Sequence, residues 1–287
     1  MKTKLCVALA LTSTISYAQT PPPEPDDINI SSEVRLTTNR TSRGITDSGL
    51  RPSTSVTVNM VHASGIAGLI ELATVSKDAL PNSNGTMAIV GAGYRNGDPD
   101  AFHYGGGFYY ELFPGANYNA PLTQDDALGG TGSKVDFDTG YAILELGYGP
   151  VDIRYEHTMT NRFRGISVGA VCAPLAATDP TAYLKCLAPG DLSSRGTGYL
   201  SVNAKHKLTP QLELSGHIGV QRVANFSAAN LTDVQVSLDY TVNRWVFGLD
   251  VTRANVETPQ MYANTRSDGS AYQANDTALA ARISYKF

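Results

Sequence analysis

From Ser31 to the C-terminus, apolar and polar side chains alternate with a period of two, and the connections between the alternating segments are by turns short and long. A period of two is the mark of a strand with one face apolar and the other polar. It is clearest in Leu212 to Val220, Val234 to Tyr240, Trp245 to Val251 and Val151 to Tyr155. Twelve such segments are predicted: 31–40, 52–62, 65–76, 84–95, 103–113, 138–147, 150–159, 196–206, 210–222, 230–241, 243–255 and 277–287. Tight connections fall at Ala63-Ser64, Tyr148-Gly149, Lys207 to Thr209 and Val242, with a looser one from Asn96 to Phe102. The longest connections are 114–137 and 160–195.

A soluble sandwich has alternating strands but no reason to keep its short loops at one end. Lipid supplies that reason, because every backbone group must be paired within the protein and only a closed barrel does this with strands. Bacterial barrels of this kind have an even strand number, short periplasmic turns and long outer loops. The expected fold is therefore all-β, a transmembrane antiparallel up-and-down barrel of about twelve strands occupying 31–287. Leu279, Ala281, Ile283, Tyr285 and Phe287 share one face of the last segment, and terminal Phe287 resembles the C-terminal signal read by the barrel-assembly machinery.

Composition excludes the main competitors. The chain is 42% hydrophobic and 17% charged, against roughly 25% charged in soluble domains. Disorder needs more charge and fewer β-branched residues. A helical span needs roughly 18 consecutive apolar residues, which the sequence lacks. A net charge of −4 argues against nucleic acid as a partner, since such proteins carry a basic face.

Residues 1–18 have the form of a secretory signal: Lys2 and Lys4, an apolar run from Leu5 to Ile15, then Ser16-Tyr17-Ala18 at the cleavage site. Cys6 lies within the apolar run, which speaks against a lipoprotein anchor. Residues 19–30, with Pro21-Pro22-Pro23-Glu24-Pro25-Asp26-Asp27, are expected to form a stiff periplasmic spacer. In an oxidising compartment Cys172 and Cys186 are expected to pair as a disulfide.

With the apolar parity facing lipid, the opposite parity collects Glu33, Arg35, Glu71, Glu111, Glu145, Asp152, Arg154, Glu156, Lys205, Glu213, Asp233, Asp239, Arg244, Asp250, Arg282 and Lys286. These ten acids and six bases are expected to line the lumen. Placing Arg or Lys on the lipid side near the midplane would cost about 2–4 kcal/mol. An excess of acids around a water-filled pore favours cations. Cross-lumen pairing of acids with bases would instead give rigidity without selectivity. Twelve strands lie between filled eight-stranded barrels and open 16-stranded porins.

The string Thr37 to Gly49 contains Arg43-Gly44-Ile45. It resembles the N-terminal signature of the TorF-type porins (Gcw_chp), in which a first strand runs into an aromatic-Arg-Gly-Ile-Ser segment. Here Ser42 stands in the aromatic position and Thr46 in place of Ser. The resemblance is clearest over 30–76 and implies an outer-membrane porin with no assigned substrate. A related string, Thr160 to Ser167, contains Arg164-Gly165-Ile166 and follows the seventh segment, half a barrel away. Arg43 and Arg164 are expected to pair with nearby loop acids or to project into the lumen mouth or onto lipopolysaccharide phosphate.

An enzyme would need a nucleophile, a base and an orienting group. Of the five histidines, only His157 lies on the lipid-facing parity near the outer rim, and Glu156 beside it points to the other face. No hydrolase or phosphate-loop motif is present. No metal or cofactor is expected. The functional expectation is a narrow, mildly cation-selective channel for small hydrophilic solutes, with lipid and lipopolysaccharide as surroundings. A closed structural or adhesion barrel is the alternative, and a lipid-modifying enzyme a more distant one.

Overall fold

In the computed structural model, which describes residues 28–98 and 100–287, twelve antiparallel strands close into one barrel. They are β1 (Ile28–Thr37), β2 (Ser53–His62), β3 (Ile66–Thr74), β4 (Thr86–Gly97), β5 (Phe102–Leu112), β6 (Thr139–Tyr148), β7 (Val151–Thr158), β8 (Gly198–Lys207), β9 (Leu212–Arg222), β10 (Leu231–Val242), β11 (Trp245–Val256) and β12 (Ala278–Lys286). Each strand pairs with its sequence neighbour. β1 closes the ring against β12 with Glu33 opposite Lys286 and Thr37 opposite Arg282.

The signal segment lies outside the described residues. Ile28 to Ile30, assigned to the spacer from sequence, instead open β1, because Ile28 and Ile30 extend its outward apolar parity.

The outer surface is what a bilayer requires. Leu36, Val56, Leu72, Phe108, Leu144, Leu146, Ile218, Val236, Leu249 and Leu279 are all exposed. At the short-turn end Trp245, Tyr285 and Phe287 stack edge to face, with ring centroids 4.8 and 4.9 Å apart. This aromatic cluster sits where a membrane barrel places its interfacial girdle. The closed ring and exposed apolar belt make this an outer-membrane barrel. The short turns face the periplasm and the long loops the exterior.

Three short helices, not anticipated from sequence, lie in the outer loops: α1 (Gln124–Gly129), α2 (Val168–Cys172) and α3 (Pro180–Leu187). Their starts follow capping chemistry. Thr123 and Asp126 form a reciprocal capping box on α1, and Asp179 caps α3 with Pro180 in its first turn. Cys172 and Cys186 form a disulfide that ties α2 to α3.

One apolar cluster runs from the barrel wall into these loops. Leu69, Met87, Ile89, Tyr109, Tyr141 and Ile143 face inward from the strands, and Phe113, Leu122, Phe163, Val168, Leu187 and Phe226 descend from the loops onto them. Full burial of a Leu or Phe side chain stabilises by roughly 1.5–3 kcal/mol, so the loops form a packed cap. Replacing both cysteines by serine is expected to cost the cap about 3 kcal/mol, the chain-entropy value for a loop of this size. Proteolytic cleavage within 160–195 should then become faster, while the barrel keeps its heat-modifiable migration. An unchanged cleavage rate would show that apolar packing alone holds the cap.

Candidate functional site: two arginine-bearing turns inside the outer lumen

The loop after β1 folds back as a small hairpin in which Thr41–Ser42 pairs with Ile45–Thr46. Its two-residue turn is Arg43-Gly44, with φ of 51° and 72°. Positive φ at both central positions defines a turn that normally takes Asn-Gly. An Arg there carries strain of roughly 1–2 kcal/mol. The loop after β7 repeats the device: Arg164 and Gly165 have φ of 43° and 72°, and the Ile166 amide donates to the Phe163 carbonyl at 2.8 Å. The two echoes share backbone conformation as well as sequence.

Both turns point into the barrel. Gly44 lies flush against the wall, where a Cβ would come within 2.8 Å of the Cβ atoms of Asp233 and Ala254. From there Arg43 reaches along the wall to the neighbouring strands β6 to β9. Its Nη2 donates to Glu156 Oε2 at 2.6 Å and its Nη1 to Gln221 Oε1 at 3.2 Å. Its guanidinium carbon lies 4.7 Å from the Tyr199 ring, 4.9 Å from Phe163 and 5.2 Å from Tyr141. The aromatic residue of the second echo thus packs on the arginine of the first. Arg164 grips Glu111 with two bonds of 2.9 Å and reaches Asp47 at 3.3 Å. The arginines therefore pair chiefly with strand acids, not with loop acids as expected from sequence; only Asp47 is a loop residue.

Burial opposes the charge on both guanidiniums. Tyr141, Glu156 and Tyr109 outweigh it at Arg43, and Glu111 and Asp47 at Arg164, so both lie above the ordinary arginine value and stay protonated. For Asp47 burial wins over Arg164 and Arg40, and its carboxyl is pushed up.

Nine of the ten acids expected to line the lumen have ion-pair or hydrogen-bond partners. Glu71 pairs with Arg40 at 2.7 Å, and Glu145 and Asp152 share Arg95 at 3.2 and 3.4 Å. Arg154 binds Glu156 at 2.9 Å, and Glu33 binds Arg35 at 2.8 Å. Arg282 bridges Asp239 and Asp250. His217 and the Tyr199 hydroxyl both bind Asp233, at 2.9 Å each. Glu213, Lys205 and Lys286 are half-buried near the periplasmic end.

Arg244 requires a correction. It is exposed in the periplasmic turn Asn243-Arg244, where its carbonyl accepts from the Lys286 amide. The single-residue turn at Val242 was too short, and Asn243, with φ 53°, supplies the missing turn position. Sequence reasoning missed two interior bases, Arg40 and Arg95, and its lumen count left out Arg43 and Arg164, which it had placed at the lumen mouth or on loop acids. With Arg244 removed and these added, the six bases become nine, facing the ten strand acids and Asp47. The acid excess is halved, from four to two.

The two ends of the lumen differ in contact with water. Near the loops, the side chains of Glu111 and Glu156 are each 1% exposed. Beside the Gly149-Pro150 turn, Asp152 is 27% exposed. The cap thus shields Glu111 and Glu156 from water, while water reaches Asp152 in the lower lumen.

Near the lower end His103 Nε2 lies 2.6 Å from Asp152 Oδ1, and these atoms with Glu145 fall within 4.8 Å of one another, a spacing that could hold a metal ion. The Arg95 guanidinium already rests on both carboxylates, so the cluster is charge-compensated by the protein. His157, the residue weighed for lipid chemistry, has the Tyr155 hydroxyl as its ring partner at 3.4 Å.

Closed strands, an exposed apolar belt and a polar interior define a protein of the outer-membrane porin fold. Residues 24–284 match the family described as "Bacterial protein of unknown function (Gcw_chp)", and the chain belongs to that family. No curated protein matches it in sequence. Among solved structures it resembles the NanC porin at 9% identity, covering 89% of this chain and 98% of that one, with a TM-score of 0.51. It also resembles the KdgM porin at 10% identity, with 90% and 99% covered and a TM-score of 0.46. An outer-membrane channel from Pseudomonas putida F1 matches at 12% identity, with 93% and 99% covered and a TM-score of 0.42. Of these only the NanC likeness exceeds a TM-score of 0.5, and at such identities it bears on the fold alone.

Proposed function

We propose that this protein is a gated outer-membrane channel for small hydrophilic solutes, closed in the described state by its own arginine-bearing turns. The observation that supports this best is the strained, charged construction of the closure. A permanent plug needs neither buried ion pairs nor arginines at positive φ, since apolar residues of similar volume serve as well or better. Strained backbone persists where a site is tied to a switch. The water-reached lower lumen is then a vestibule, and the layer from Arg43 to Arg164 is the gate. The near balance of interior charge argues for weak selectivity in place of the cation preference suggested by acid count. The TorF-type porin resemblance agrees with this reading. Lipid and lipopolysaccharide surround the belt, and the barrel-assembly machinery engages the C-terminal strand ending at Phe287.

The second reading is a closed structural or adhesion barrel, and the apolar packing from Leu69 to Phe226 favours it. Planar-bilayer recording under a salt gradient separates the two. The gated channel should show brief openings with a reversal potential near zero. Strong cation selectivity would restore the acid-lined pore.

A further inference from the structure

We infer that the seat now filled by Arg43 is a binding site for a free guanidinium-bearing solute, which opens the channel by taking that arginine's place. This inference rests on the gate reading and gives it a ligand class. The seat is built for a planar cation. Three rings, Tyr141, Phe163 and Tyr199, surround the guanidinium at 4.7–5.2 Å. Glu156 and Gln221 take its two terminal nitrogens at 2.6 and 3.2 Å. Rings present their negative faces to such a cation, and a carboxylate matches its N–H groups.

The seat also outlasts the departure of its occupant. Glu156 keeps Arg154 at 2.9 Å and the Tyr109 hydroxyl at 2.9 Å, so its carboxylate stays placed and charged. The Tyr199 hydroxyl stays held by Asp233 at 2.9 Å. Exchange of one guanidinium for another conserves every contact in the seat and lets Arg43 leave its left-handed backbone conformation. What opposes exchange is the tether, which gives Arg43 an effective concentration on the order of millimolar. A solute acting in that range competes. An ammonium lacks the planar fork and stacks less well, so it should compete poorly.

The test uses the mature protein in planar bilayers with methylguanidinium as probe and methylammonium at equal ionic strength as control. In the wild type, millimolar methylguanidinium should raise the open fraction severalfold over methylammonium. In Arg43→Ala, which should conduct without the probe, methylguanidinium should fill the empty seat and lower the conductance, again severalfold more than methylammonium. In Arg43→Lys, which keeps the buried charge, the half-effect concentration should fall at least tenfold below that of the wild type. If Arg43→Ala conducts but methylguanidinium and methylammonium act alike, the seat is not a guanidinium site and the gate reading stands. If Arg43→Ala is as silent as the wild type, the gate reading fails. The seat is then judged by thermal unfolding: a probe-induced rise in the midpoint of Arg43→Ala, absent in the wild type, supports it, and no rise overturns it.

Discussion

Arg43→Ala is expected to convert brief openings into a sustained conductance, the largest functional change of any single substitution in this barrel. Among the described residues the side chain is the one guanidinium that the three rings of Tyr141, Phe163 and Tyr199 enclose, and it bonds directly to Glu156. Removing one partner of a buried ion pair costs about 3–5 kcal/mol, because the remaining charge is left without compensation. Here Arg154 still compensates Glu156, so the loss should fall near the lower end of that range. The hairpin tip also loses its anchor on β7 and β9. The barrel wall, held by strand pairing, is untouched. Stability of the gate and of the barrel should therefore separate: higher conductance, with unchanged heat-modifiable migration. A variant that migrates normally and conducts no better than the wild type would show that Arg43 does not close the path.

Arg164→Ala should be the more destabilising of the two. Glu111 is 1% exposed, and both its oxygens take bonds from Arg164; the Tyr141 hydroxyl adds one at 2.9 Å. Among the described residues no second arginine binds Glu111 as Arg154 binds Glu156, so the full cost of about 3–5 kcal/mol applies. The built-in control is Arg164→Ala with Glu111→Gln, which removes the stranded charge. Recovery of at least half of the lost stability by thermal unfolding, with conductance still raised, would assign the loss to the orphaned carboxylate. No recovery would place it in the packing of the 159–197 loop.

The barrel was legible in the sequence because one physical demand, apolar side chains toward lipid at every second residue, acts on every strand. Where that demand stops, legibility fades. Ile28 and Ile30 continue the parity of β1, yet the proline run before them masks it. Arg244 fell on the wrong side because strand parity ends at the turn that contains it. α1 and α3 are too short for helical periodicity, though Thr123 with Asp126 and Asp179 with Pro180 were signals of their starts.

The site was half legible. Arg43-Gly44 and Arg164-Gly165 stood out as an echo, and an Arg-Gly pair between β-forming residues already suggests a tight turn with positive φ. Their inward direction depends on the apolar cap and the disulfide-tied helices, contacts between residues far apart in sequence. Charge balance failed for the same reason. Counting acids on strands cannot see arginines that loops deliver from above, and it passed over Arg95 within β4 itself.

The most direct test of the central claim is single-channel recording of the wild type beside the double variant Arg43→Ala, Arg164→Ala, under identical salt. The gate account predicts a mostly closed wild type and a persistently open variant of weak ion selectivity. A wild type as open as the variant, or a correctly folded variant that stays silent, would contradict it.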